Sequence, residues 1–444
     1  MAIRRWQGWV VAALGLAVAA CGGGAGTGGD GTHCAAPPAE RLSHPEEDTA
    51  HRDAGAPSVA VDGAGNVLVV FGAGGEVWAR RYVLAEARWE PLVRLDVGGL
   101  RAWTHPLVAA DASGHALAAW ATPAQGLAVA HFRPGTGWQA PQFLLNEGEL
   151  PDTRLTGVAL DAGGHAAVAF AAFNTLSARF DHFVQLLRPD GDPRAELPMG
   201  TSANPEAALA LHGSEERLDV ALVWLGSVGR TLVTRGSWWF PRDSMVIQDA
   251  EVLQAELDGD VRGPRAAYDG TGRLHAAWAR QLVSSDALIL EHQWTGPDGR
   301  WQSAPVRLGV LAGRDDWALA TDGSASFVWV EDGGARLWAS TLTDGGWSAA
   351  EPVAGSPAPA RTPTAALDAR GALRVVWSAP VQGMPALHRT VREAEGWSTP
   401  TVAHAGTDEA HTTPVLRALP ARGEALVWLR QRGGVHAVLG ALPP

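Results

Sequence analysis

Short apolar runs alternate with polar turn residues along almost the whole chain, and they do so to one repeated pattern. The typical unit opens on a Pro, passes through an apolar run to Asp-x-x-Gly, and continues through a second apolar run to an aromatic residue. The first unit runs from Pro57 through Asp62 and Gly65 to Phe71. The pattern returns at Pro106, Asp111, Gly114 and Trp120; at Thr156, Asp161, Gly164 and Phe170; at Pro264, Asp269, Gly272 and Trp278; and at Pro363, Asp368, Gly371 and Trp377. In a sixth unit, Asp315 to Trp329, the turn shifts to Asp322-Gly323. In the eighth, Pro414 to Trp428, the Asp is missing. The fourth, Pro205 to Trp224, carries extra residues around Gly213-Ser214-Glu215-Glu216. The closing aromatics are Phe71, Trp120, Phe170, Trp224, Trp278, Trp329, Trp377 and Trp428. They cover 357 positions in seven steps, a mean period of 51. A third alternating run follows in each unit, such as Glu76–Tyr82, Leu127–Arg133 or Arg336–Leu342, and a Gly-Trp pair then opens a fourth segment.

Alternation over four to eight residues between turn signals predicts strands, and the Gly of Asp-x-x-Gly is free to adopt positive φ. Each unit is therefore four antiparallel strands. Radial repetition of such sheets predicts an all-β fold, a β-propeller of about eight four-stranded blades, because one blade cannot bury its own faces. Seven blades remain open if the divergent fourth unit or the chain ends are not part of a blade. Two β-sandwiches, the rival architecture, would not need one period through the full length. The last unit ends after a third strand, Val435–Leu442, while Pro37–Leu42 resembles the fourth strands Glu90–Leu95 and Ala304–Leu308. The N-terminal strand is thus expected to complete blade eight and remove an open sheet edge.

The first residues read differently. Arg4 and Arg5 precede an uncharged stretch from Gly8 to Ala20, too short to span a ~30 Å hydrocarbon core as a helix. This describes a secretory leader. Leu16-Ala-Val-Ala-Ala-Cys21 resembles the lipobox of bacterial lipoproteins. The resemblance implies lipidation at Cys21, with Gly22 rather than Asp following it pointing to the outer membrane. Residues 1–20 are then a signal peptide, 21–36 a lipidated Cys and Gly-rich tether, and 37–444 a single propeller domain. The lipid would be the only membrane link, and Cys34 the only unmodified thiol.

Composition narrows the function classes. The chain has 444 residues, a formal net charge of -12, and two Cys. All 35 basic residues are Arg. An acidic chain is a poor nucleic-acid binder, since phosphate neutralisation needs a basic footprint. Two Cys exclude a Cys-rich zinc or iron–sulfur site. The His residues show no ligand spacing, and Asp190-Gly191-Asp192 and Asp258-Gly259-Asp260 lack the further oxygen partners of a calcium loop. No metal, cofactor or catalytic residue is assigned.

Polar chemistry concentrates in the loops that enter each first strand. The candidate ligand-face residues are Arg101, Trp103, His105, Asp152, Arg154, Arg314, Asp315, Asp316, Arg361, Asp408, Glu409 and His411. Arg forks suit carboxylates and Trp faces suit sugar rings. The turns Thr343-Asp-Gly-Gly-Trp347, Pro297-Asp-Gly-Arg-Trp301 and Glu393-Ala-Glu-Gly-Trp397 resemble degenerate Asp-boxes of sialidase-like propellers. That resemblance implies three substrate-binding Arg, for which Arg154, Arg314 and Arg361 are candidates, and a Tyr nucleophile. Tyr82 and Tyr268 are the only tyrosines, and Tyr268 stands at a packing position. The expectation is therefore a monomeric, envelope-anchored, non-enzymatic module that binds a glycan or an envelope protein. The alternative is a glycan-active hydrolase or lyase, with Asp152 and Asp316 as its carboxylate pair.

Overall fold

The computed structural model describes residues 39–442 apart from short segments at 46–47, 52, 97–104, 123–125, 146–151, 215, 227–229, 255–259, 303, 322–324, 332, 334–335, 344–345, 354, 406–409, 421–422 and 433–434. The expected signal peptide and tether, with Cys21 and Cys34, lie outside these residues.

Eight antiparallel sheets follow one another along the chain. Blade 1 comprises Ser58–Val61, Val67–Ala73 and Glu76–Val83, with its outer edge in two pieces, Arg88–Trp89 and Val93–Arg94. The inner strands of blades 2 to 8 are Leu107–Ala110, Arg154–Leu160, Ala207–Gly213, Asp260–Tyr268, Trp317–Thr321, Arg361–Leu367 and Ala410–Ala418. Each inner strand packs against the next, and the eighth against the first, so the sheets close into an eight-bladed β-propeller.

The repeated turn explains the repeated hairpin. In blades 1, 2, 5 and 7 the Asp carboxylate accepts two backbone N–H groups of its own turn: Ala64 and Asn66 at Asp62, Ser113 and His115 at Asp111, Thr271 and Arg273 at Asp269, Arg370 and Ala372 at Asp368. This is the Asx arrangement in which a side chain stands in for backbone. Gly114, at φ 91°, completes one such turn where a Cβ would be strained. The second carboxylate oxygen takes a side chain from the end of the turn or the start of the following strand. That partner is Asn66 in blade 1, His115 in blade 2, His165 in blade 3, His275 in blade 5 and Arg374 in blade 7. The repeat-position histidines thus serve the turn.

All eight closing aromatics are buried. Eight apolar clusters occupy the eight interfaces between successive blades. Trp120, for instance, packs with Leu68 and Val70 of blade 1, and Trp428 with Val376 and Leu387 of blade 7. Such clusters hold a ring of sheets together because no blade has a core of its own.

The ring closes as the N-terminal segment predicts. Glu40–Arg41 pairs with the third strand of blade 8, Val435–Ala441, in the register Glu40↔Gly440 and Arg41↔Leu439. Leu42 N–H donates to Val438 O at 2.8 Å, and Val438 N–H to Ser43 Oγ at 3.1 Å.

Three details differ from the pattern-based reading. The first strand of blade 3 begins at Arg154, two residues before Thr156. The extra residues of the fourth unit lengthen its hairpin, Ala207–Gly213 against Arg217–Leu225, without adding a separate loop. Five blades have an outer edge in two pieces, as in Gly137–Trp138 and Gln142–Leu145 of blade 2. In blade 2, Pro141 lies in this gap, and Pro has no N–H for the ladder.

Candidate functional site

The inner strands surround a channel with two chambers. One, of about 690 Å³, lies toward the Asp-x-x-Gly turns and is lined chiefly by Ala and Val. The other, of about 390 Å³, lies toward the starts of the inner strands, where the candidate loops enter. It is lined by Arg265, Asp315, Trp317, Thr364, Thr413 and Arg417, among others. Arg417 lines both.

The backbone is irregular at this second mouth. The inner strands of blades 5, 7 and 8 slip register between Arg262 and Arg265, Arg361 and Thr364, and Thr412 and Val415. Each bulge contains a residue of positive φ directly before a Pro: Gly263 at 57°, Thr362 at 45° and Thr413 at 47°. Gly takes this conformation freely, whereas a β-branched Thr is strained in it. Bulges of this kind re-aim side chains at the edge of a sheet. The preceding blade braces two of them. Glu206 Oε2 accepts Gly263 N–H at 2.8 Å, and Asp316 Oδ1 accepts Thr362 N–H at 2.9 Å.

The structure brings four of the predicted residues together here. Asp316, nearly buried, also meets Arg361 Nη1 at 3.4 Å. Arg314 pairs with Glu206 at 3.2 Å and approaches Asp315 at 3.7 Å. Asp315 lines the chamber, while Arg314 and Arg361 hold the rim carboxylates. Asp152 and Arg154 pair with each other in blade 3 at 3.1 Å, and Arg154 reaches the Phe180 ring at 6.0 Å. The Asp152–Arg154 pair shares no ion-pair partner with Arg314 or Arg361 among the described residues. His105 is exposed and lies against Gly55, where a Cβ would come within 2.7 Å of its Nδ1. Arg101, Trp103, Asp408 and Glu409 lie outside the described residues, as does the His411 side chain. Tyr268 packs against the cluster between blades 4 and 5, with burial raising its phenol above the ordinary value.

Among the described residues one group has metal-ligand spacing: ligand atoms of His44, Asp48 and His51 lie within 4.8 Å of one another. His51, however, engages Asp48 Oδ2 at 2.7 Å and Glu76 Oε2 at 3.0 Å through its two ring nitrogens. Burial alone would lower the His51 pKa, but these two carboxylates outweigh it and raise it. A metal would have to displace both.

Arg265, Arg417 and Glu206 were not among the predicted site residues. A signal for Arg417 was present. Three positions after the unit opening, the other seven units carry Ala60, Ala109, Ala159, Ala208, Ala267, Ala318 and Ala366, and only the eighth carries an Arg. Arg265 likewise replaces Ser58, Leu107, Gly157, Thr364 and Val415 one position after the opening. Both side chains are exposed, but to the channel. The protein around them pushes both guanidiniums below their ordinary pKa by burial. Asp315 and Glu206 partly offset this for Arg265.

No protein family matches the chain, and no curated protein does. Solved structures match it by shape. A puromycin hydrolase mutant complexed with PGG is similar at TM-score 0.51 and 14% identity, over 86% of this chain and 59% of that one. Unmodified puromycin hydrolase is similar at 0.50 and 12%, with the same coverage. The chain thus spans 59% of the length of the hydrolase it resembles. An ulvan lyase of a polysaccharide lyase family gives 0.48 and 8%, over 88% and 94%. At these identities the likeness is one of fold. The protein is an eight-bladed β-propeller with an irregular, charged channel mouth.

Proposed function

We propose that this chain is an envelope lipoprotein, lipidated on Cys21 and held at the outer membrane. Its propeller acts as a monomeric, non-enzymatic binding module for a glycan or an envelope protein. The observation that carries the reading is the channel mouth, where the bulges of blades 5 and 7, the latter holding a strained Thr362, are braced by carboxylates around a chamber of about 390 Å³. Strained backbone collects at binding sites because neighbouring structure holds it in place. Binding is favoured over turnover because both carboxylates suited to acid–base work are already engaged, Asp152 by Arg154 and Asp316 by Arg361 and a backbone N–H. A place near the sialidase-like propellers rests on the sequence resemblance of turns such as Pro297-Asp-Gly-Arg-Trp301 alone.

The test is a glycan-array screen of the full chain, with product analysis of every spot that binds. Binding without product is expected, and it should be lost in Arg314→Ala or Arg361→Ala. Product release would overturn the non-enzymatic reading in favour of the hydrolase or lyase alternative. Mass spectrometry showing an unmodified Cys21 in membrane fractions would overturn the anchor.

A further inference from the structure

The geometry points to a carboxylate-binding site inside the channel, formed by Arg265 of blade 5 and Arg417 of blade 8 across the chamber nearest the mouth. This deepens the binding-module reading and rests on it, since it names the group that such a ligand presents.

The argument starts from the two cations. Buried or half-enclosed charges in proteins are normally paired, because removing a cation from bulk water is unfavourable unless an anion or several acceptors replace the lost hydration. Two Arg side chains at the mouth follow that rule: Arg314 has Glu206 and Arg361 has Asp316. Arg265 and Arg417 do not. Neither forms an ion pair with a described residue.

The Arg265 guanidinium sits 5.5 Å from the centre of the Trp317 ring and makes no hydrogen bond to a described residue. A guanidinium resting on an aromatic face keeps its N–H groups in its own plane, free for a planar acceptor. Arg417 is fixed from behind. Its Nε donates to Val59 O at 3.1 Å across the blade 8–blade 1 junction, and its Nη1 donates to Leu416 O at 3.0 Å. Its Nη2 makes no hydrogen bond to a described residue, and the side chain lines the chamber. Two like charges share one small chamber in which Asp315, engaged at the rim by Arg314, is the single carboxylate among the described lining residues. A bound monoanion would relieve that arrangement. Thr364 supplies a further donor: its oxygen accepts Leu416 N–H at 3.2 Å, and its hydroxyl proton remains available. The volume suits a carboxylate carried on a single sugar ring or on a chain terminus. The sequence agrees, since Arg417 interrupts a position that is Ala in seven of the eight units.

Acidic sugars and peptide C-termini share this chemistry, and the probes separate them. Isothermal titration of the full chain would use D-glucuronate against D-glucose, and N-acetylalanine against N-acetylalaninamide. One of the two acids is expected to bind while its neutral counterpart does not, and the acid that binds names the source. Arg265→Gln removes no hydrogen bond to the protein, so it should keep the melting temperature and weaken the acid about tenfold or more. Arg417→Lys keeps the charge but loses the fork, so it should weaken binding by a smaller factor. It carries the same comparison if Arg265→Gln does not fold. The inference falls if neither acid binds, if a neutral counterpart binds equally, or if the folded variants stay within twofold of the parent. Array binding that survives Arg265→Gln would leave the binding-module reading standing and remove only this one.

Discussion

Closure of the ring by the N-terminal segment makes Leu42 a sensitive position. Its side chain is 1% exposed and sits in the cluster between blades 1 and 8, with Phe71, Tyr82, Val427 and Val438. It fits because Gly440 opposite has no side chain: a Cβ there would lie 2.9 Å from Leu42 Cδ1. Leu42→Ala removes three buried carbons from a site whose walls are strands paired on both sides, so little collapse is available. Substitutions of this kind cost about 2–5 kcal/mol, and we take about 3. An unfolding entropy of about 2.1 cal/mol/K per residue, over a domain of roughly 400 residues, gives about 0.85 kcal/mol/K. The expected fall in melting temperature is then about 3–4 °C if the ring unfolds as one unit, and more if blades 1 and 8 part first. Differential scanning calorimetry of the full chain tests this against Val93→Ala, on the outer edge of blade 1 and 40% exposed. If Leu42→Ala melts within about half a degree of that control, the segment does not hold the ring and the closure argument fails.

Removing a turn carboxylate should also cost stability. Asp269→Ala strips acceptors from the Thr271 and Arg273 N–H groups and from the Thr271 hydroxyl, and a urea midpoint shift worth about 2–4 kcal/mol is expected. The exposed Asp298, which accepts one N–H, should shift far less on the same substitution. Acid should weaken the fold through its buried histidines. Burial lowers the His182 pKa to about 4, against smaller upward pulls from Asn204 and Asp181, while the unfolded residue titrates near 6.5. The unfolded state therefore binds the extra proton between those values. Stability should fall by about 3 kcal/mol from this group as pH drops from 6.5 to 4, and change little above 7. His275 and His292 shift the same way and His51 the opposite way. Urea titrations across pH 4–8 that show rising stability in acid would refute this assignment.

The features legible in the sequence are those that act over a few residues and recur. Asp62, Asp111, Asp269 and Asp368 each organise a turn entirely within five residues, so the motif and the hairpin are nearly one fact. The closing aromatics were legible because each blade needs a bulky residue at the same depth of the same interface. Pro37–Leu42 stood out because it matched outer strands elsewhere in the chain. The site was less legible because it depends on which inner strands face one another across the ring. Arg361 and Asp316 lie 45 positions apart and meet only because blades 6 and 7 are adjacent. Arg265 and Arg417 lie on blades that are not adjacent, and each looks locally like one polar residue on a strand. The repeat that revealed the fold also hid the site, since attention to what the units share passes over the one unit that departs.

That departure has a physical place in the ring. At the end of the inner strands bearing the turns, blades 1, 2, 5 and 7 solve one problem in one way, with hydrogen bonds satisfied inside the turn. At the other end, blades 5, 7 and 8 slip register and hold Gly263, Thr362 and Thr413 at positive φ. The two non-glycine residues, Thr362 and Thr413, are strained there; such a residue costs about 1–3 kcal/mol and persists only where its surroundings over-determine it. Those surroundings come from the neighbouring blade, through Glu206 on Gly263 and Asp316 on Thr362. A brace from the next blade works only if that blade is already positioned to within hydrogen-bond tolerance. The uniform turns and the eight packed interfaces supply that positioning. The regular end of the ring and its interfaces therefore make the irregular end possible, and the irregular end is where Arg265 and Arg417 reach the lumen.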